Sequence, residues 1–99
     1  MYNEYGIKNR IYELEDFFGK ETIKNAFEII EKFKECYPKS YRKVLSELLV
    51  HAILYQEKFQ EHYIDNKYAL KLAVALKIYE LLKNNKKLYE KLKSFYFKY

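Results

Sequence analysis

Residues 68–82 read YALKLAVALKIYELL, and the apolar side chains of this stretch fall on two opposite faces of a helix. At about 100° per residue, one face carries Tyr68, Leu72, Ala75, Leu76, Tyr79 and Leu82, and the other carries Leu70, Val74, Ile78 and Leu81. Both faces need burial, because each large aliphatic side chain left in water forgoes about 1.5–3 kcal/mol. The second face therefore requires either other helices of this chain or a second subunit.

The second face is predicted to be the interface of an isologous homodimer, since two-fold homodimers are the commonest oligomers. The residues assigned to this interface are Leu70, Val74, Ile78 and Leu81. The alternative is that the helix lies at the centre of a five-helix monomer.

The rest of the chain also shows apolar residues at helical spacing, interrupted by few helix-breaking residues. Helices are predicted over about residues 5–18, 20–37, 41–63 and 67–83, and a fifth follows Asn84 and Asn85 with Leu88, Leu92, Phe95 and Tyr99 on its apolar face. Gly19 is expected to end the first helix with a positive φ, and Pro38 stops the second. Ser40 is expected to cap the third helix.

This pattern predicts an all-α fold in a single domain over residues 1–99. The expected architecture is a compact bundle of four long helices plus a basic aromatic C-terminal helix. The inner side of the second helix is expected to include Ile23, Phe27, Ile30 and Tyr37.

Composition excludes several protein classes. The chain has 99 residues, of which 49% are hydrophobic and 33% charged, so it is too apolar to be disordered and too charged to be a membrane protein. The uncharged stretch 48–56 is about half of what a membrane span needs, and the first residues lack a signal peptide's features. A cytoplasmic protein is expected. The single cysteine, Cys36, has no partner for a disulfide or a zinc site and is predicted to be a buried thiol.

The balance of residue types suggests an origin. The chain has two glycines, one proline, no tryptophan and twelve tyrosines, and Glu and Lys dominate its charges, as in proteins from hot environments. In length and composition it resembles the small orphan proteins of filamentous viruses that infect thermophilic archaea, such as lipothrixviruses. The resemblance implies a thermostable viral protein that acts in the host cytoplasm or the virion. It carries no motif and transfers no site.

The net charge of +5 lies entirely in the last seventeen residues, because residues 1–82 carry thirteen basic and thirteen acidic side chains. This segment is also aromatic. It is either an amphipathic helix docked by its rings or a segment that lies on a nucleic acid. Binding to DNA or RNA would be non-specific and would use Lys83, Lys86, Lys87, Lys91 and Lys93 for phosphate contacts, with Tyr96 and Phe97 as stacking groups.

No pattern points to catalysis. Gly6 and Gly19 are isolated, which excludes glycine-rich phosphate loops. His51 and His62 share a helix face but lie about 16 Å apart along its axis, too far to bind one metal within one chain. We therefore predict no catalytic residues, no metal and no cofactor. The leading hypothesis is a small non-enzymatic interaction or structural protein that acts as a homodimeric helical bundle with an unidentified protein partner, and non-specific nucleic-acid binding is the alternative.

Overall fold

The computed structural model of the chain describes residues 3–58 and 66–97, and the side chains of residues 3–50 and 69–97. Five helices follow one another: α1 Glu4–Phe18, α2 Lys20–Cys36, α3 Tyr41–Lys58, α4 Asn66–Leu82 and α5 Lys86–Phe97. The described ranges contain no strand. The prediction of an all-α bundle with a C-terminal fifth helix is confirmed, and the radius of gyration of 13.9 Å is close to the about 13 Å of a compact 100-residue domain.

The helix ends are set by local chemistry. The Asn3 side chain accepts a hydrogen bond from the Gly6 amide at 2.8 Å and caps α1. Gly19 separates α1 from α2 with a φ of 89°, as its position predicts. The Ser40 carbonyl accepts from the Val44 amide at 3.0 Å, which places Ser40 at the N-cap position of α3. The Asn85 side chain accepts from the Leu88 amide at 3.1 Å and starts α5.

The centre of the bundle is α4, which contacts each of the other four helices. Leu72 and Ala75 on its first face are fully buried. On its second face, Ile78 is fully buried and Val74 is 3% exposed within the single chain. At these four positions both faces are covered by helices of the same chain, as the monomeric alternative requires.

This burial corrects the assignment of Val74 and Ile78 to a dimer interface, because neither side chain is free to meet a second subunit. The other two residues of the predicted interface remain at the surface. Leu70 is 38% exposed and Leu81 is half-buried. Dimerisation itself stays a prediction and needs a different surface.

The inner face of α5 also differs from the predicted one. Leu88 and Leu92 are buried as expected, but Tyr89 and Tyr96 lie inside with them and Phe95 is 44% exposed. Each inward tyrosine donates its hydroxyl hydrogen to a carboxylate at the edge of the core, so the ring is buried without an unpaired polar group. The prediction for Tyr99 lies outside the described residues.

Two predictions for α2 are wrong. Cys36 is exposed rather than buried, since it lies about 130° around α2 from the centre of the stripe formed by Ile23, Ala26, Phe27 and Ile30. Tyr37 is 45% exposed, because the helix ends before it and its backbone turns toward Pro38.

Candidate nucleic-acid interface

A cavity of about 210 Å³ opens where α2, α3, α4 and α5 meet. We call it the lysine–tyrosine pocket, and it is lined by Ile30, Lys34, Tyr41, Tyr79, Leu82, Lys83, Lys86 and Tyr89. Each charged residue of this lining is a lysine. The pocket therefore combines positive charge with aromatic rings in one concave surface.

Helical spacing brings these residues together. Ile30 and Lys34 are one turn apart on α2, so the buried isoleucine anchors the helix while the lysine reaches the pocket at its edge. The turn that begins at Pro38 ends α2 and places Tyr41 at the first position of α3. The short connection between α4 and α5 then sets Lys83 and Lys86 on the opposite side of the pocket.

Aromatic contacts hold the walls. The rings of Tyr41 and Tyr79 meet edge to face, with 5.3 Å between their centroids. The Lys34 ammonium lies 4.2 Å from the centroid of the Tyr89 ring and 5.9 Å from that of Tyr41. These cation–π contacts hold Lys34 between two aromatic walls, and its positive charge also interacts with the Glu31 carboxylate and helps to lower the pKa of that group.

One carboxylate balances part of the positive charge at the rim. Glu80 accepts hydrogen bonds from Arg42 at 2.8 Å and from Lys83 at 3.0 Å, and these bonds lower the pKa of its carboxyl group. The Lys83 ammonium group is therefore already paired with a carboxylate of the protein. Lys86, which opens α5, forms no ion pair with any described residue, and the positive end of the helix dipole lies beside it.

Beneath the pocket a second carboxylate fixes α5 to α2. Tyr89 donates its hydroxyl hydrogen to Glu31 at 2.7 Å, and Lys93 approaches the same carboxylate at 3.2 Å. Burial raises the pKa of Glu31, but the bonds from Tyr89 and Lys93 outweigh it and leave the pKa below its ordinary value. Burial and the bond to Glu31 raise the pKa of Tyr89, so this tyrosine stays neutral and acts as a hydrogen-bond donor.

The structure separates the lysines that the sequence grouped together. Lys83 and Lys86 line the pocket, whereas Lys87 and Lys91 are exposed on the outward side of α5 and pair with no described residue. Lys93 is held by Glu90 at 2.9 Å and by Glu31, which removes it from the set of free phosphate-binding groups.

The two predicted stacking residues have other roles. Tyr96 is 2% exposed, packs on Phe27 with 5.7 Å between ring centroids and donates to Glu15 at 2.9 Å, so it is a core residue. This corrects its assignment as a base-stacking group. Phe97 is 38% exposed and meets the Phe27 ring edge to face at 6.5 Å, so only part of its ring is open.

Six residues of the pocket were not predicted as site residues, and four of them carry polar groups: Lys34, Tyr41, Tyr79 and Tyr89. They come from four different helices and share no motif. The one usable signal was the tyrosine content, since Tyr41 and Tyr79 lie at the edges of helical stripes where rings pack and hydroxyls reach water.

Other kinds of site find no support among the described residues. No group of His, Cys, Asp and Glu side chains there could hold a metal ion. The prediction for His62 lies outside the described residues, and the side chain of His51 is not described. None of the helices over the described ranges has the length and apolar character needed to cross a membrane.

Comparison with known proteins adds no relative: no family model, curated protein or solved structure matches the chain. The resemblance to proteins of filamentous archaeal viruses stays a prediction.

Proposed function

We propose that this chain is a small non-enzymatic protein that binds nucleic acid without sequence specificity. The observation that carries the proposal is the lysine–tyrosine pocket, whose charged lining consists of three lysines. Lysine ammonium groups form charge-assisted hydrogen bonds with phosphate oxygens, and tyrosine rings offer surfaces to sugars and bases. The exposed Lys87 and Lys91 extend the positive surface along α5.

The size of the pocket restricts what enters it. Its volume of about 210 Å³ is below the about 300–1,000 Å³ of pockets that enclose drug-sized ligands. We infer that one phosphate group with part of its sugar occupies the pocket while the rest of the strand runs along α5. Lys87 and Lys91 are neighbours on the helix, about 5–6 Å apart at their Cβ atoms, and contact the backbone there.

Binding without sequence specificity follows from the place of each helix. Reading bases in a major groove requires a polar helix that projects from the protein. The helix after the α3–α4 connection, α4, is instead the central helix of the bundle, and α5 buries one side against the core. The contacts that remain are to phosphates, so affinity should depend strongly on salt.

The test is fluorescence anisotropy with labelled single-stranded and double-stranded DNA at several salt concentrations. If the pocket neutralises one phosphate of a single strand and Lys87 and Lys91 neutralise one each, the logarithm of the binding constant should fall against the logarithm of salt concentration with a slope of about −2.1. The double variant Lys34→Gln/Lys86→Gln removes the pocket contact and should reduce this slope to about −1.4.

The matched control is Lys8→Gln/Lys32→Gln, which removes the same charge from residues outside the pocket and should leave the slope unchanged. No binding by the wild-type protein at low salt would refute the proposal. An equal reduction of the slope in both double variants would show that DNA is attracted by net charge alone, and the pocket would then not be the binding site.

Residence in the cytoplasm, thermostability and a protein partner stay predictions. Homodimerisation also stays a prediction, and the exposed side chain of Phe17 at the end of α1 supports it.

A further inference from the structure

The end of α1 carries the most exposed large apolar side chain in the described part of the chain. Phe17 is 85% exposed and Phe18 is 37% exposed, and their ring centroids are 5.8 Å apart. A groove of about 470 Å³ lies beside them, lined by Arg10, Glu13, Leu14, Asp16, Phe17, Phe18 and Lys77. We call it the Phe17 groove.

The helical pattern explains why no described part of the chain covers Phe17. The inward stripe of α1 consists of Ile7, Ile11 and Leu14, and Phe17 lies about 90° away from the centre of that stripe. A phenylalanine left in water forgoes the free energy of burial, and contiguous exposed apolar groups mark interaction surfaces. The aromatic side chain and the adjoining hollow occupy the same face of the molecule.

The α4 side of the groove extends this surface. Lys77 lies on the outward stripe of α4, with Leu70 two turns before it and Leu81 one turn after it. These leucines are the two residues of the sequence-predicted interface that remain at the surface. Leu70 and Leu81 therefore lie on the same side of α4 as Lys77, the α4 residue that lines the groove.

The charges around the groove identify the partner. Arg10 and Lys77 contribute two positive charges, and Glu13 and Asp16 contribute two negative charges, so the rim is neutral overall. Arg10 and Glu13 already form an ion pair at 3.6 Å within the chain. A nucleic acid would meet two carboxylates there, and a strongly basic or acidic partner would meet two charges of its own sign. In a second copy of the same rim, rotated about a two-fold axis, the positive side chains of each subunit can face the negative side chains of the other.

We propose that a second copy of this chain docks on the Phe17 groove and forms an isologous dimer in which each Phe17 inserts into the groove of the other subunit. This interface lies on α1 and α4, apart from the lysine–tyrosine pocket, so it does not depend on the proposed nucleic-acid binding.

Sedimentation equilibrium of the full chain, over concentrations reaching the millimolar range, tests the dimer. The wild-type protein should approach twice the monomer mass of 12.2 kDa. Phe17→Asp should raise the dimer dissociation constant by about a hundredfold or more, as expected for an aromatic anchor that is present twice. The matched control is Tyr5→Asp, because Tyr5 is 73% exposed on the same helix about 120° away from Phe17, and its loss should leave the dissociation constant unchanged.

A charge-exchange experiment tests whether the Phe17 groove is the dimer interface, and it does not require knowing which rim charges pair between the subunits. The variant Glu13→Lys/Asp16→Lys makes the rim entirely positive, and Arg10→Glu/Lys77→Glu makes it entirely negative. Each variant alone should be monomeric, and the two mixed together should form a heterodimer. Circular dichroism of each variant confirms that it is helical before mixing.

A wild-type protein that remains at the monomer mass at millimolar concentration would overturn the proposal. A dimer that persists in Phe17→Asp, or charge variants that fail to associate when mixed, would place the interface on another surface and would equally overturn it. None of these results bears on binding to DNA, which is measured separately.

Discussion

Replacing Ile78 by alanine tests whether the second face of α4 belongs to the core of one chain. Ile78 is fully buried within the single chain, and its face of α4 is packed against the rest of the bundle. Removing three methyl or methylene carbons from such a site costs about 2–5 kcal/mol of the free energy of unfolding, depending on how far the neighbours close the cavity. For a domain of this size, whose total stability is of the order of 5–15 kcal/mol, that is a large fraction.

The matched comparison is Leu70→Ala on the same face. Leu70 is 38% exposed, so this change removes less buried area and should cost under about 1 kcal/mol in the isolated chain. Both variants also carry Phe17→Asp, which suppresses the proposed dimer, so the measured free energies refer to the monomer.

Urea unfolding followed by circular dichroism at two protein concentrations gives the answer. If Ile78 is a core residue, the loss of stability in Ile78→Ala is large and the same at both concentrations. A small loss at low concentration that grows with protein concentration would show that Ile78 is buried mainly by a second subunit, and the reasoning from the single-chain core would be refuted.

Three further outcomes are expected from individual contacts. Gly19→Ala should destabilise the protein by about 1–3 kcal/mol, because φ and ψ of 89° and 155° are accessible almost only to glycine. No atom lies within 4 Å of the added Cβ, so backbone strain is the whole cause. Thermal unfolding of the variant and the wild type measures this loss of stability. Glu31 has a lowered pKa in the folded state, so it contributes stability above its ordinary pKa of 4.5 that is lost as pH falls through the folded value. Urea unfolding of Glu31→Gln should therefore show a shallower loss of stability over this acidic range than the wild type. Parallel curves of unfolding free energy against pH for the two proteins would contradict this. Tyr96→Phe should cost about 1–2 kcal/mol through loss of the hydrogen bond to Glu15 while leaving DNA affinity unchanged, and a weaker affinity in the anisotropy assay would restore Tyr96 as a contact residue.

The candidate site was only partly predictable. The sequence placed an excess of lysines at the C-terminal end, and two of them, Lys83 and Lys86, line the pocket. It did not show that Glu31 holds Lys93, because the carboxylate of Glu31 comes from a helix far away in the chain. Nor did it show that Lys34 faces these lysines, since that juxtaposition exists only after α2 and α5 pack together.

The inner face of α5 shows the same limit. Helical spacing predicted Phe95 as an inward residue, because it lies on the same side of a helix as Leu88, Leu92 and Tyr99. In the bundle, Tyr96 is buried against Phe27 and its hydroxyl reaches Glu15 on α1. A buried tyrosine requires such a hydrogen-bond partner, and the partner is supplied by tertiary structure.

The helices and most of their described ends were predictable from the sequence, because a helix depends on residues within one or two turns: the apolar period, the φ of Gly19, the proline at 38 and the side chain of Asn85 are all local. The predicted end of the third helix at residue 63 lies outside the described residues. The sequence also showed that both faces of α4 must be buried. What buries them follows from the packing of the bundle, because the hydrophobic effect is non-directional and an apolar face accepts a neighbouring helix or a second subunit equally well. Because α4 lies at the centre of the bundle, Val74 and Ile78 are core residues. The most exposed large apolar side chain of the described residues is instead Phe17, at the end of α1.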